Sequence, residues 1–269
     1  MLSHQNNAAI GIFDSGIGGI SVAAAIRKMM PEENILYVAD SANAPYGGKS
    51  EQFVLQRCQR IVEFLIQQKV KLIVVACNTA TLICISKLRA LYPIQFIGVE
   101  PGIKPALLAS QSGVVGVLAT QNTVNSLQYR QLVSRLSQQS RVLSQACNGL
   151  VDRIEAGEIE STSTQLLIKQ FVTPLIDQGA DQIVLGCTHY GFVSRQIHEI
   201  VKDRASLVNT SDAIARQTLA VLNREGLKST DTQQGETVLF SNQANPNSLN
   251  IVEHLWPNEV EVIHPFPVD

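Results

Sequence analysis

A chain of 269 residues with 21 Lys and Arg against 23 Asp and Glu carries a formal charge of −2, which offers no electrostatic footprint for nucleic acid or an anionic membrane. No apolar stretch reaches the roughly 20 residues of a membrane helix, since "LIVVAC" is flanked by Lys69, Lys71 and Asn78. Five cysteines without a C-x-x-C pair, and an amino terminus without a basic-then-apolar leader, predict free thiols in a cytoplasmic protein whose ligand is small and weakly charged.

Taken in chain order, "AIGIF", "NILYVA", "KLIVVA", "FIGV", "VVGVLA", "QIVLG" and "SLVN" read as short strands. Longer stretches of helical period separate them. Val54, Cys58, Ile61, Val62 and Leu65 mark one helix, and "ATLICISKL", "VNSLQYRQLVSRL", "TQLLIKQFVTPLI" and "SDAIARQTLAVL" mark others. The last is expected to open on Ser211 or Asp212 as its cap and to close near Gly226. "TDTQQGE" reads as an exposed connection and "FSNQANPNSLN" as an edge element. Alternation of this kind predicts an α/β protein with mostly parallel sheets.

The chain also repeats itself. "LIVVACNTAT" and "QIVLGCTHYG" each end an apolar strand on a cysteine, and Cys77 and Cys187 are 110 residues apart. "IGIFDSG" and "VGVLATQ" align at Gly11 and Gly116, an offset of 105. Two similar α/β lobes related by a pseudo-twofold axis are expected, residues 1–98 with 208–269 and residues 99–207. Ligands gather at the carboxyl ends of parallel strands, so both cysteines would flank one cleft between the lobes.

Cys58 and Cys84 lie on apolar helical faces and read as small buried hydrophobes, while Cys147 in "QACNGL" sits on a turn. Cys77 and Cys187 instead lead straight into Asn78-Thr79 and Thr188-His189. A thiolate on one face of a carbon and a thiol on the other can invert that centre without a cofactor, provided both ionise near neutral pH. A metal site is not expected, because zinc would want four ligands at tight local spacing and His4, His198, His254 and His264 show none relative to these cysteines.

Two more turns follow strands. "IGIFDSGIGGISV" lacks the lysine of a P-loop and the full dinucleotide glycine spacing. Its glycines serve a tight turn with Asp14 as a helix cap, or its amides cradle a small charged group with Asp14 as partner or base; both can hold. "ADSANAPYGGKS" sets Asp40, Tyr46 and Gly47 in a loop on the cleft side. Glu155 in "DRIEAGE" is a lone helical carboxylate whose partner spacing does not reveal.

The motifs "GIFDSGIGGISV", "APYGGKS", "VVACNTAT", "VEPGIKPA" and "LGCTHY", in this order and spacing, resemble the glutamate racemases, cofactor-independent enzymes that supply D-glutamate for bacterial peptidoglycan. The resemblance runs from Ile10 to "NTSDAIA" and thins after Leu222. It implies that Cys77 takes the α-proton of D-glutamate and Cys187 that of L-glutamate, with Asp14 assisting Cys77 and His189, supported by Glu155, assisting Cys187. It implies substrate contacts at Asp14, Ser15, Tyr46, Gly47, Asn78, Thr79, Thr188 and His189, an acidic family position at Asp40, and a homodimer. The chain departs from the usual pattern at "SANA" before Pro45 and at "CNGLVDRIEAG" around Glu155.

Three other readings compete. An aspartate-type two-cysteine racemase would differ only in side-chain contacts. A binding module would leave the thiols chemically silent. A hydrolase would use Cys187 with His189 and leave Cys77 idle.

Overall fold

Strands buried on both faces need near-continuous apolar sequence, and parallel strands are buried in this way. In the computed structural model, which describes residues 6–137, 140–243, 256 and 263–266, the seven apolar runs all become strands. In chain order the strands are β1 (Ile10–Asp14), β2 (Ile35–Ala39), β3 (Leu72–Val75), β4 (Phe96–Gly98), β5 (Val114–Ala119), β6 (Arg141–Ala146), β7 (Gln182–Leu185), β8 (Ser206–Val208), β9 (Thr237–Ser241) and β10 (Ile263–Pro265). They form two all-parallel sheets, ordered β10-β9-β2-β1-β3-β4 and β6-β5-β7-β8. Both sheets contain the same order, second-first-third-fourth, so β1 corresponds to β5 and β3 to β7. The weak sequence repeat is therefore a repeat of topology.

The helices are α1 (Ile20–Met29), α2 (Glu51–Gln67), α3 (Asn78–Leu91), α4 (Ile103–Ala109), α5 (Gln121–Asn125), α6 (Leu127–Leu136), α7 (Leu150–Glu155), α8 (Thr162–Asp177), α9 (Ser194–Val201) and α10 (Ser211–Glu225). Strand side chains alternate between faces, so each sheet supports a core on either side. Ile12, Tyr37 and Val74 pack with α1 and α10 on one face of the first sheet, and Phe13, Val38 and Val75 with α2 and α3 on the other. The second sheet is covered by α7, α8 and α9 on one face and by α4 and α6 on the other. No helix among the described residues is long and apolar enough to cross a membrane.

The structure corrects several local expectations. β6, β9 and β10 are additional strands; β6 is half-buried or exposed along its length and carries no continuous apolar run. The predicted helix over 124–136 breaks at Ser126, whose backbone is extended and whose hydroxyl accepts from Tyr129 N to start α6 afresh. α10 starts after Thr210 with Asn209 Oδ1 accepting from Ser211 N, so neither Ser211 nor Asp212 is its cap. Gly226 does stop α10, in the left-handed conformation. The "TDTQQGE" stretch is mostly exposed. Of "FSNQANPNSLN", residues 240–241 belong to β9, and 244–250 lie outside the described residues.

At the amino ends of the first sheet, Lys71 and Glu33 form an ion pair with both side chains fully buried. Lys71 Nζ also donates to the Asn6 carbonyl at 2.6 Å, and Glu33 Oε1 accepts from Ser229 N at 2.8 Å. Burial pushes the lysine pKa down while the Glu33 carboxylate opposes that shift. A Lys71→Met variant removes the buried ionic partner of Glu33, and is expected to lose about 3–5 kcal/mol of stability. A second substitution, Glu33→Leu, should recover more than half of it, as read from urea denaturation midpoints.

Candidate active site

In a sheet of order second-first-third-fourth, the chain leaves β1 toward one edge and β3 toward the other, which opens a crevice at their carboxyl ends. Asp14 and Ser15 emerge from β1 at this point and Cys77 from β3. Cys77 is 5% exposed and stands at the amino end of α3, where its sulfur accepts from Ala80 N at 3.4 Å. Its thiol donates to Ser15 Oγ at 3.7 Å, and Ser15 in turn donates to Asp14 Oδ1 at 3.1 Å. Burial raises the pKa of Cys77, the nearby Asp14 charge raises it further, and the Ala80 amide opposes them. A charge on Cys187 acts in the same upward direction.

Asp14 is fully buried and does not cap α1. It accepts from Gly16 N at 3.0 Å and from Thr188 Oγ1 at 2.8 Å, and the second bond reaches across to the end of β7. Burial raises its pKa, offset by His189 and these donors. The glycine turn does cradle carboxylates, but they are the protein's own. Ile17 N donates to Glu155 Oε1 at 2.9 Å. A Cβ at Gly16 would lie 1.9 Å from that oxygen, and one at Gly18 would lie 2.4 Å from His189 Nδ1. These glycines leave room for the second sheet's charged side chains, not for a phosphate.

Cys187, 8% exposed, lies with its sulfur 3.8 Å from His189 Nδ1. His189 Nε2 is 2.5 Å from Glu155 Oε1. Although burial works against the imidazolium, the Cys187 and Glu155 partners outweigh it and raise the His189 pKa well above the usual histidine value. In the charged form both ring nitrogens donate, one to each partner. The pairing that spacing could not reveal thus forms through α7 meeting the turn after β7.

The third part of the site is the loop 40–50. Asp40, fully buried, accepts two hydrogen bonds from Arg57, at 3.0 and 2.8 Å, and others from Tyr46 OH, Asn43 and Asn242. This brings Tyr46 and Gly47 to the seam, where a Cβ on Gly47 would meet Thr120 at 2.6 Å. Thr79 Oγ1 is 3.0 Å from Thr120 Oγ1 and 3.2 Å from Thr123 Oγ1, joining α3 to the end of β5. Asn78 Oδ1 is buried without a hydrogen-bond partner among the described residues, an acceptor open to an incoming donor. No cluster of three His, Cys, Asp or Glu with metal-holding geometry occurs among the described residues.

Every predicted site residue therefore lies at the strand carboxyl ends or in the turns and helix starts they feed, except Glu155, which arrives from α7. Cys58 and Cys84 are fully buried in the core, and Cys147 is buried in the same core cluster as Cys187. Arg57, Thr120, Thr123 and Asn122 are additions. Arg57 had a signal, an arginine on the same helical stripe as Val54, Cys58 and Ile61. Thr120 had one too, since the 105-residue repeat aligns it with Ser15.

Residues 20–218 match the family model described as Asp/Glu/Hydantoin racemase. The chain is 44% identical to a glutamate racemase of Ectopseudomonas mendocina over 98% of its own length and 100% of the relative's. It is 46% identical to the glutamate racemase of Herpetosiphon aurantiacus over 84% and 89%. Among solved structures, glutamate racemase from Francisella tularensis in complex with D-glutamate superposes with a TM-score of 0.86 at 28% identity, covering 98% of this chain and 99% of that one. The two parallel sheets, the contacts by which their strand ends meet and this likeness along nearly the whole chain agree: the chain belongs to the Asp/Glu/hydantoin racemase family, as an enzyme of its glutamate racemase group.

Proposed function

We propose that this chain interconverts L- and D-glutamate without a cofactor, by proton transfer between the substrate α-carbon and two thiols. The observation that carries the reading is the pair of buried cysteines at equivalent strand ends, β3 and β7, each with its own polar partners. With L-glutamate, the Cys187 thiolate removes the α-proton and becomes a thiol, while the Cys77 thiol protonates the opposite face and becomes a thiolate. With D-glutamate the roles exchange. The proton count balances, and the solvent re-equilibrates the thiols between turnovers.

The α-hydrogen of an amino acid is far less acidic than a thiol, so the site must favour the carbanion-like transition state. Ser15, Thr79, Thr188 and the amides at the start of α3 are suited to the α-carboxylate, where negative charge develops. Asn78 Oδ1 and Asp14 are suited to the ammonium group. An ammonium beside Asp14 also offsets the carboxylate's upward pull on Cys77, so substrate itself would ease ionisation of that thiol. His189, charged and held by Glu155, supports the Cys187 thiolate.

Further parts of this reading are two lobes, residues 1–98 with 208–269 and residues 99–207, a homodimer, a cytoplasmic location and D-glutamate supply to peptidoglycan. The lobe division is supported by strands that segregate into 10–98 with 237–265 and into 114–208, apart from Val208, which ends β8 and pairs with Val184 in the second sheet.

Incubated with L-glutamate in deuterated water without cofactor, the protein should lose optical rotation and place deuterium at the α-carbon. Cys77→Ser and Cys187→Ser should each slow turnover by about a hundredfold or more; a Cys77→Ser variant of unchanged rate would sink the two-base reading. No change with either glutamate enantiomer would redirect the assay to aspartate, and silence there would favour the binding module.

Enantiomers are equal in free energy in water, so kcat/KM must be equal in both directions. His189→Asn should therefore lower kcat for L-to-D conversion about tenfold more than for D-to-L, with KM falling in proportion. Equal losses of kcat in both directions would count against His189 acting through Cys187.

A further inference from the structure

The Tyr46–Gly47 turn is held from two sides. Asp40 and Arg57 hold it from the first sheet's own elements, through bonds that do not reach the second sheet. Asn122, on α5 beyond β5, holds it from the other side: its amide donates to the carbonyls of Tyr46 at 2.9 Å and of Lys49 at 2.7 Å. Gly47 lies flat on Thr120 next to these bonds, where no side chain would fit. Opening the seam breaks the Asn122 pair and leaves the Asp40 cluster intact.

We propose that Asn122 is a latch, a positioning residue that fastens the Tyr46–Gly47 turn across the seam and thereby sets how tightly substrate is held. The proposal rests on the racemase reading for its link to catalysis. Asn122 is half-buried and contributes no large apolar surface, so its removal leaves the cores untouched. Two hydrogen bonds of ordinary strength correspond to about a tenfold effect on affinity.

The test is steady-state racemisation together with amide hydrogen exchange on the intact protein. Asn122→Ala should raise KM for glutamate about tenfold while kcat stays within about threefold, and exchange at Gly47–Lys49 should quicken. Asn122→Asp keeps the shape but sets a carboxylate, without an N–H, against two carbonyl oxygens, so its KM should rise further. A variant that merely folds less well loses kcat, as active fraction, at unchanged KM. Unchanged KM in both variants, a milder effect of Asp than of Ala, or unchanged exchange in the turn each overturns the latch. If the unsubstituted protein racemises neither glutamate enantiomer, the functional reading has failed, and the exchange measurement still decides whether the latch exists.

Discussion

Asp14 is a carboxylate without solvent, and a buried carboxylate is tolerated only where hydrogen bonds replace its water. Three donors do so: the Gly16 amide, the Ser15 hydroxyl and, from the other sheet, the Thr188 hydroxyl. The first two require the sharp turn after β1. The third requires the end of β7 to face the end of β1. Satisfying one charged group therefore fixes how the two sheets meet, and with them the two thiols.

The same turn supports the second charged group. Ile17 N holds Glu155, Glu155 holds His189, and His189 adjoins Cys187. Glycine at 16 and 18 is what lets these side chains approach the turn so closely. A substituent at either position would displace the carboxylate or the imidazole, so the glycine-rich segment, which lacks the marks of a nucleotide loop, is a docking surface for Glu155 and His189 from the other sheet.

The repeat is not a symmetry of chemistry. Aligned by their 110-residue offset, Asn78 and Thr79 of one copy stand where Thr188 and His189 stand in the other. Cys77 has a hydroxyl partner and the start of a full helix; Cys187 has an imidazole. Because the two enantiomers are equal in free energy, a racemase need not treat its two acid-base groups alike. On the two-base reading proposed above, each need only hold and release a proton, and the two environments are suited to this by different means, an amide and hydroxyl in one case and an imidazole in the other.

The candidate site residues were legible because strand ends are written locally: an apolar run of four or five residues followed at once by Cys, Asn, Thr or Asp. Parallel α/β topology then assigns those ends to one side of each sheet, so the alternation of strands and helices, the internal repeat and the positions of Cys77 and Cys187 followed from the sequence alone. β6 and β9 were not legible, since strands of mixed polarity depend on neighbours to recruit them. Nor could spacing pair Glu155 with His189, 34 residues away, or reveal the Arg57–Asp40 clamp, the threonine contacts of Thr79 and the reach of Asn122 to the Tyr46 turn. Hydrophobic periodicity is a property of neighbouring residues and survives in a single sequence; which polar groups satisfy one another is decided only when distant segments share a buried seam, and that belongs to the tertiary structure.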